Sequence, residues 1–486
     1  MFEHLLSEFK IKSVTLPNRF VVPAMVTRLS GEDGFVNQDI TDRYVRFSQG
    51  EVGLVVVEAM AVHNAKSGPL LRICGEEYKP GLTDLAKRVH DSGPSKVFPQ
   101  IIHFLKIARS GWRQKIEDLS IDDIRTIIRQ YGEAALRARE CGFDGVEMHM
   151  AHAYTMSSFL SKRNKRPDEF GGKSLENRLR VPLQVVHEVR RMVGEDFPVG
   201  IRFLGEECIK GGYTTEESAL IALRMAEAGV DYISLSAGGK FEDAVHRDGE
   251  VLYPYTGYSG DRCMPPADYP DAYNLHMAEA ARKMLRSKGH TTPVIATGKI
   301  STPELGESVL AEGKADLVGM ARALLADPDI PKKIREGRGE TIMKCIYWNV
   351  CKALDETFHK VVCGLWPKGY LQAPLSDDAE PPVWQSAEPL KVLARTNQIR
   401  LNWEKATDNE EVAGYEIWRS EDGGKHFSHL YSVQVTMYTD NLTMSGRQYA
   451  YYVRAYDLAG NKSAPSNTVL ADVPLRISLL EATPAP

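Results

Sequence analysis

Residues 142–154 have the sequence GFDGVEMHMAHAY. The stretch opens as an apolar run typical of a β-strand and ends in His149, His152 and Tyr154. At the end of a strand, this spacing can direct two imidazoles and a phenol into one cleft. Two imidazole N–H groups can stabilise a developing oxyanion, and a phenol can deliver a proton. The alternative is a strand end whose histidines make ordinary hydrogen bonds near a core.

Strand-like and helical runs alternate on both sides of this stretch, from Arg19 to about Leu325. The alternation predicts an α/β fold with a parallel sheet, and eight repeats favour a closed (β/α)8 barrel, the TIM barrel. A doubly wound sheet is the alternative, although no Gly-x-Gly-x-x-Gly motif follows the first strand. The predicted strands are 20–23, 53–57, 96–101, 145–148, 199–203, 232–235, 293–296 and 317–320.

The composition is ordinary for a folded protein with more than one domain: 486 residues, 43% hydrophobic and 26% charged. The formal net charge of −5 gives no basic surface for nucleic acid. No apolar run is long enough to span a membrane, and the first residues lack the regions of a signal peptide. We therefore expect a cytoplasmic protein that binds neither nucleic acid nor membrane.

A second polar segment follows the first, with NKRPDEFGG at 164–172 and ENR at 176–178. Together with residues 149–154, these segments resemble the old yellow enzyme family of flavin-dependent ene-reductases. That family carries His-x-x-His/Asn-x-Tyr at the end of its fourth strand, then Asn-x-Arg-x-Asp-x-Tyr/Phe-Gly-Gly and Glu-Asn-Arg. The resemblance covers residues 1 to about 370, and it implies FMN as cofactor and NAD(P)H as electron donor.

The resemblance also implies where FMN binds, at the carboxyl ends of the strands as a barrel requires. In the family, the end of the first strand lies along the flavin and a small residue after the second lets the backbone approach. A glutamine hydrogen-bonds the pyrimidine ring, an arginine opposes negative charge, and the last two loops hold the phosphate. The corresponding residues are Pro23, Ala24, Met25, Val26, Ala59, Gln100, Arg202, Gly298, Ala321 and Arg322.

The implied reaction transfers a hydride from NAD(P)H through flavin N5 to the activated C=C bond of an enone or enoyl compound. His149 and His152 are expected to hold the carbonyl oxygen of this α,β-unsaturated substrate, and Tyr154 to protonate its α-carbon. Two alternatives stay open. The protein could be an oxidative dehydrogenase or demethylase that passes electrons to an external acceptor, or a non-catalytic flavin-binding scaffold.

Some positions depart from the family pattern. The family's His-x-Gly-Arg after the third strand is replaced here by the sequence HFLK at 103–106, and Val26 stands where many members carry a hydrogen-bonding residue near flavin N5. The first cysteine is Cys74, so we expect a non-covalent flavin. The long segment from Gly238 to about Tyr273 is predicted to be a lid over the site or a dimer contact.

Residues 344–369 resemble the cluster-binding segment of the 2,4-dienoyl-CoA reductase and trimethylamine dehydrogenase branch of the family. In that branch, four thiolates hold a [4Fe–4S] cluster. Here Cys345, Cys351 and Cys363 keep three positions, whereas Trp348 takes the fourth and offers no ligand atom. We expect the iron–sulfur cluster to be absent and no metal at these cysteines. Three thiolates holding a cluster with an open ligand position are the alternative.

The character of the sequence changes after residue 370. Residues 371–389 have the composition of a linker. Short alternating runs over 390–474 predict a β-sandwich that resembles a fibronectin type III domain, with Trp403 in its core and Tyr449 at its corner, and 475–486 form a tail. A protein or glycan partner for this domain, and a homo-oligomer, remain open.

Overall fold

The structure is a computed structural model that describes residues 2–65, 68–106, 114–238 and 260–475. The chain divides into two compact units. The barrel unit contains residues 1–339, 347–363 and 371–373, and the C-terminal unit contains residues 340–346, 364–370 and 374–486. The domain boundaries predicted at residues 370 and 389 stay predictions. Most of the predicted lid or dimer contact, residues 239–259, lies outside the described residues.

The barrel unit contains eight parallel strands that close into a barrel. This observation confirms the predicted TIM barrel, and every predicted strand overlaps an observed one. A short antiparallel hairpin, β1 (Phe9–Ile11) and β2 (Val14–Leu16), precedes the barrel. The barrel strands are β3 (Phe20–Val22), β4 (Leu54–Ala61), β5 (Lys96–Ile102), β6 (Val146–Met150), β7 (Val199–Leu204), β8 (Tyr232–Ser236), β9 (Val294–Ala296) and β10 (Leu317–Gly319).

The helices of the barrel unit alternate with its strands. The longest is capped by Ser120, whose hydroxyl accepts a hydrogen bond from the Asp123 N–H at 3.1 Å while the Asp123 carboxylate accepts the Ser120 N–H at 2.8 Å. The helices are α1 (Gln38–Gln49), α2 (Lys79–Ser92), α3 (Ile121–Glu140), α4 (Thr155–Leu160), α5 (Leu175–Val193), α6 (Thr215–Glu227), α7 (Gly260–Cys263), α8 (Leu275–Ser287), α9 (Pro303–Ala311), α10 (Ala321–Ala326), α11 (Ile330–Arg335) and α12 (Val350–Glu356).

The amino end of the barrel is filled with apolar side chains. Ile11 and Leu16 of the β1–β2 hairpin are buried in one cluster with Val21, Leu54 and Phe98 from the first barrel strands. The hairpin therefore covers this end of the barrel, and functional groups have room only at the carboxyl ends of the strands.

One polar layer lies inside the barrel above this apolar floor. Paired residues on neighbouring parallel strands face the same side, and here Gln100, Glu147, Gly200 and Tyr232 are paired across β5 to β8. A Cβ atom on Gly200 would lie 2.0 Å from the Tyr232 ring. Only glycine at this position therefore lets the tyrosine cross the interior and reach Glu147.

The C-terminal unit consists of two antiparallel sheets, ordered β11-β12-β15 and β14-β13-β16-β17. Their inner faces share one core that includes Trp403 and Tyr449. The Tyr449 hydroxyl accepts the Met444 N–H at 3.0 Å. The fibronectin type III assignment stays a prediction. The strands are β11 (Leu390–Arg395), β12 (Gln398–Trp403), β13 (Val412–Ser420), β14 (Ser428–Val433), β15 (Met437–Asp440), β16 (Gln448–Asp457) and β17 (Val469–Asp472).

Within the described ranges, no helix combines the length and the apolar character that a membrane span requires. The segment of residues 374–389, which precedes the first strand of the sandwich, makes specific contacts inside the C-terminal unit. Trp384 stacks on Tyr415 with ring centroids 6.0 Å apart, and its indole N–H donates to the Ala464 carbonyl at 2.8 Å. This part of the predicted linker is therefore held against the sandwich.

Candidate active site

A second polar layer lies at the carboxyl ends of the strands. On β6 it contains His149, the next residue after Glu147 on the same face of the strand. The strand register pairs His149 on β6 with Arg202 on β7, and Arg202 with Ser234 on β8. Arg202 donates from Nη1 to Ser234 Oγ at 3.1 Å and from Nη2 to Ser236 Oγ at 3.4 Å. These side chains are buried. The guanidinium is therefore fixed by two serine hydroxyl groups at the base of the cleft.

His149 and His152 are hydrogen-bonded to each other in this layer. The Nδ1 of His149 accepts the Ala151 N–H at 3.2 Å, so the ring proton lies on Nε2. That nitrogen lies 3.1 Å from Nδ1 of His152, whose Nε2 lies 2.7 Å from Ser236 Oγ. Burial lowers the pKa of His149 well below its usual value and that of His152 to about 3. Both imidazoles are therefore neutral rings with an Nε2–H to donate.

The backbone after β6 turns sharply and brings Tyr154 beside the histidines. His152 and Ala153 have φ angles of 57° and 61°, in the left-handed region that costs a non-glycine residue about 1–3 kcal/mol. The Tyr154 ring then lies 5.2 Å from the His149 ring, centroid to centroid, with the two planes at 85°. The structure thus brings together the three side chains predicted to be catalytic.

The phenol of Tyr154 lies against an apolar wall. Tyr154 and Val26 pack on one cluster whose buried members include Ala59 and Ile102, and Phe104 packs on it as well. Two residues predicted to bind the flavin, Val26 and Ala59, therefore belong to the same lining as Tyr154. Apolar walls exclude water, which strengthens the electrostatic interactions of any group bound there.

The loop after β3 is hydrogen-bonded to the buried carboxylate of Glu58 on β4. Glu58 accepts the Thr27 N–H at 2.9 Å and the Thr27 hydroxyl at 2.5 Å, and its own N–H donates to the Tyr44 hydroxyl at 2.8 Å. Burial raises the pKa of Glu58 to about 7. The register of β4 shifts at this point, between Val57 and Met60. The predicted flavin segment, residues 23–26, is therefore held at the mouth of the barrel.

Gln100 is oriented by the layer below the histidines. Its side-chain amide donates to Glu147 at 2.6 Å, and the Tyr232 hydroxyl donates to the same carboxylate at 3.0 Å. Burial raises the pKa of Glu147, and the nearby Arg202 charge opposes that shift. Glu147 received no role from the sequence, although a carboxylate within an apolar strand was a signal that could have identified it.

Two buried cations lie at the ends of β9 and β10. Lys299 Nζ lies 5.1 Å from the centre of the Tyr347 ring, and the Arg322 guanidinium lies 4.5 Å from it. Arg322 also donates to the Pro265 carbonyl at 2.7 Å and to Asn349 Oδ1 at 2.5 Å. The sequence predicted Arg322 here but gave no role to Lys299 or Tyr347. Positive charge is therefore concentrated where the resemblance places the phosphate.

The remaining predicted residues lie around the same mouth. Pro23 is buried, whereas Ala24 and Met25 are half-buried after β3. Gly298 follows β9 with a φ of 109°, and a Cβ atom there would lie 2.6 Å from Asn274 Nδ2. Ala321 is the first residue of α10. All ten residues predicted to bind the cofactor therefore lie at the carboxyl end of the barrel.

A sequence model of the NADH:flavin oxidoreductase / NADH oxidase family matches residues 4–117, 105–250 and 266–341. These ranges span more than half of the chain and include all eight strands of the barrel. The chain belongs to this family. The predicted old yellow enzyme-like oxidoreductase is therefore confirmed at the family level, and membership implies FMN and NAD(P)H.

Individual proteins are also similar to this chain in sequence. NADH oxidase of Thermoanaerobacter brockii is 35% identical over 370 residues, which cover 72% of this chain and 53% of the relative. NADPH dehydrogenase of Geobacillus sp. (strain WCH70) is 31% identical over 365 residues, which cover 71% of this chain and 97% of the relative. The chain thus spans about half the length of the first relative and nearly all of the second.

A solved structure is similar to this chain in three dimensions. The complex of 2-naphthoyl-CoA reductase with 2-naphthoyl-CoA superposes with a TM-score of 0.67 at 25% sequence identity. The superposition covers 82% of this chain and 61% of that one.

The residues at the barrel mouth fit the FMN that this family uses. The Nε of Arg202 is buried and has no hydrogen-bond partner among the described residues, so it offers a donor to a bound anionic ring. Gly319 ends β10 where a side chain has no room, because a Cβ atom there would lie 2.7 Å from Thr297 Cγ2. Lys299 and Arg322 supply positive charge beside it. An isoalloxazine ring near Arg202 and a phosphate near Arg322 match this arrangement.

The cysteine segment of this family member is divided between the two units. Cys351 and Cys363 belong to the barrel unit and Cys345 to the C-terminal unit. Burial raises the pKa of Cys351, which favours the thiol over the thiolate that binds iron. Trp348 is 38% exposed. The predicted absence of an iron–sulfur cluster stays a prediction.

Side chains from separate parts of the chain also lie beside the histidines. The Cys263 sulfur lies 3.3 Å from Nε2 of His152. His103 Nδ1 lies 2.8 Å from the Thr155 hydroxyl, and the His103 and His63 rings are 4.4 Å apart. The sequence contained no signal for Cys263 or His63, because Cys263 ends α7 and His63 follows β4, both far in the chain from residues 142–154.

Proposed function

We propose that this protein is an FMN-dependent reductase of activated alkenes that takes electrons from NAD(P)H. The observation that carries the proposal is the grouping of two neutral imidazoles and a phenol, His149, His152 and Tyr154, at the mouth of a family barrel. The proposed substrate is an α,β-unsaturated carbonyl compound. When bound, FMN would supply the hydride that adds to the β-carbon of this substrate.

The two histidines are proposed to hold the carbonyl oxygen. The Ala151 N–H fixes the tautomer of His149, so its Nε2–H is available to an acceptor that replaces Nδ1 of His152. The Nε2–H of His152 now faces Ser236 Oγ, a hydroxyl that can be exchanged for a carbonyl oxygen. Negative charge grows on this oxygen as the β-carbon gains a hydride, and two fixed donors stabilise that charge.

Burial keeps the imidazoles of His149 and His152 neutral, and a neutral ring is the proposed donor to the carbonyl oxygen. The pKa of His152 is lowered to about 3 and that of His149 well below its usual value, chiefly because burial disfavours the charged ring. A neutral imidazole donates one N–H without losing its proton to the enolate. The Arg202 charge further disfavours protonation of His149 and His152, so the donors stay neutral throughout the physiological pH range.

Tyr154 is proposed to deliver the proton to the α-carbon. Its ring stands perpendicular to His149 at 5.2 Å and packs on the apolar lining that includes Ala59. A substrate whose oxygen is held by the histidines would extend from His149 toward this wall. General acids of this kind accelerate proton transfer about 10²–10⁴-fold.

An anaerobic two-step experiment tests the proposal. The purified full-length protein is reduced with NADPH, and separately with NADH, while the flavin absorbance is followed. Cyclohexenone is then added, and the products are analysed. We expect bleaching in the first step, and recovery of absorbance with formation of cyclohexanone in the second.

The other outcomes separate the alternatives. Bleaching without any recovery on enones would contradict alkene reduction. Bleaching by an amine donor in place of NAD(P)H would support an oxidative dehydrogenase. A bound flavin that no donor reduces would support a scaffold.

A further inference from the structure

Glu147 on β6 is a buried carboxylate that the proposed reaction does not use. Its side chain lies in the polar layer inside the barrel, and the residue is 1% exposed. Glutamate is almost never buried to this degree unless it is paired, because removal of a charge from water is costly. Glu147 therefore needs partners that compensate its charge.

Two hydrogen-bond donors and one cation compensate the charge of Glu147. The Gln100 amide donates to Oε1 at 2.6 Å, and the Tyr232 hydroxyl donates to Oε2 at 3.0 Å. Burial and the charge of Glu147 raise the pKa of Tyr232 well above its usual value, so the phenol keeps the proton that it donates. The positive charge of Arg202 acts on the same carboxylate. These three groups favour the ionised form of Glu147 against the effect of burial.

The ionised carboxylate fixes the Gln100 amide in one orientation. A carboxylate only accepts hydrogen bonds, so Gln100 must direct its NH₂ group toward Glu147. The amide oxygen of Gln100 is then the atom left to accept a hydrogen bond from a second partner. Glu147 thus determines which atom of Gln100 is offered to a bound ring.

Arg202 is shared between Glu147 and the mouth of the barrel. The register pairs Glu147 with Gly200 and His149 with Arg202, so Arg202 lies two residues farther along β7 toward the carboxyl end. Its buried Nε has no hydrogen-bond partner among the described residues and is available to a ligand there. The negative charge of Glu147 offsets part of the positive charge that Arg202 presents to that ligand.

We propose that Glu147 is a positioning residue that lowers the reduction potential of bound FMN through Gln100 and Arg202. The inference rests on the proposed function for the position of FMN at the barrel mouth. Two-electron reduction of FMN with uptake of one proton leaves a negative charge on the ring, and nearby charges set how readily this occurs. The Glu147 carboxylate opposes that negative charge. A lower potential makes the reduced cofactor a stronger hydride donor, as reduction of an alkene requires.

An anaerobic redox titration of the full-length protein loaded with FMN tests this role. The wild type and Glu147→Gln are each equilibrated with a dye of known potential, and the ratio of reduced to oxidised FMN is read from the absorbance. The new amide can accept from Gln100 and donate to the Tyr232 oxygen, so the variant loses the charge and keeps the shape. We expect this ratio to rise about tenfold or more at equal dye potential, which is about 30 mV for a two-electron couple.

Two further variants and a control separate the charge from a merely structural role. Glu147→Met is also uncharged and of similar length, and it should raise the ratio in the same direction if Glu147→Gln does not retain FMN. Glu147→Asp keeps the charge and should keep the low potential. Glu207→Gln is the matched control, because Glu207 is also buried but accepts from Ser161, Lys162 and Tyr213, and it should leave the ratio unchanged.

Equal ratios in the wild type and the neutral variants would overturn the proposal, and so would an equal rise in Glu207→Gln. The titration contains no alkene, so it can fail independently of the proposed reaction. A shifted potential in a protein that does not reduce cyclohexenone would support this role of Glu147 and contradict alkene reduction. Reduction of cyclohexenone together with unchanged potentials would do the reverse. A protein that cannot be loaded with FMN would overturn both.

Discussion

Replacement of His152 by Asn should remove a specific pH dependence of stability. Burial lowers the pKa of His152 from 6.5 in the unfolded chain to about 3 in the folded protein. Between about pH 3 and pH 6.5, the His152 imidazole is protonated in the unfolded chain and neutral in the folded protein. The free energy of unfolding therefore falls as the pH drops below 6.5. Because pH 5 lies about 1.5 units below 6.5, the loss in free energy of unfolding at pH 5 is about 2 kcal/mol. The Asn variant cannot titrate and should not show this loss.

The assay is urea denaturation at pH 7 and pH 5 with excess FMN, followed by flavin fluorescence to report on the barrel unit. From pH 7 to pH 5, the free energy of unfolding of the wild type should fall by about 2 kcal/mol more than that of His152→Asn. His149 is present in both proteins, and its pKa is lowered chiefly by burial, with a smaller contribution from His152. His426→Asn is the control, because His426 is exposed in the C-terminal unit whereas the flavin signal reports on the barrel unit. Equal losses in the wild type and His152→Asn would refute a buried, neutral His152.

Three further predictions concern the cofactors. Arg202→Lys keeps the charge but loses the unpartnered Nε, so the Kd for FMN should rise about 10–100-fold in a fluorescence titration of the apoprotein, and an unchanged Kd would remove Arg202 from the flavin site. Acid precipitation should release FMN into the supernatant, whereas a yellow pellet under a colourless supernatant would indicate a covalent flavin. Iron and acid-labile sulfide should each be well below one per chain after anaerobic purification, and Trp348→Cys should raise iron uptake on reconstitution; stoichiometric iron in the unmodified protein would contradict this expectation.

The sequence predicted the barrel because strand and helix periodicity repeat locally in a parallel β/α fold. It also predicted which groups meet at the mouth, since residues just after barrel strands share one end of the molecule. His149, His152 and Tyr154 are close in the chain, and the turn at His152 needs only local backbone geometry to bring them together.

Other features depend on contacts that sequence spacing does not encode. Cys263 reaches His152 from α7, more than a hundred residues away in the chain, and the Tyr347 ring contacts two cations, Lys299 after β9 and Arg322 in α10. Composition alone suggested a linker around Trp384, yet this side chain stacks on Tyr415.

Tyr154 is proposed to protonate a substrate held by His149 and His152. Single-turnover stopped-flow spectroscopy with Tyr154→Phe tests it most directly, because phenylalanine keeps the ring beside His149 and loses only the hydroxyl. Flavin reduction by NAD(P)H should stay within a factor of about two, whereas reoxidation by cyclohexenone should slow about 10²–10⁴-fold. A Tyr154→Phe protein that reoxidises on the enone as fast as the wild type would contradict the account.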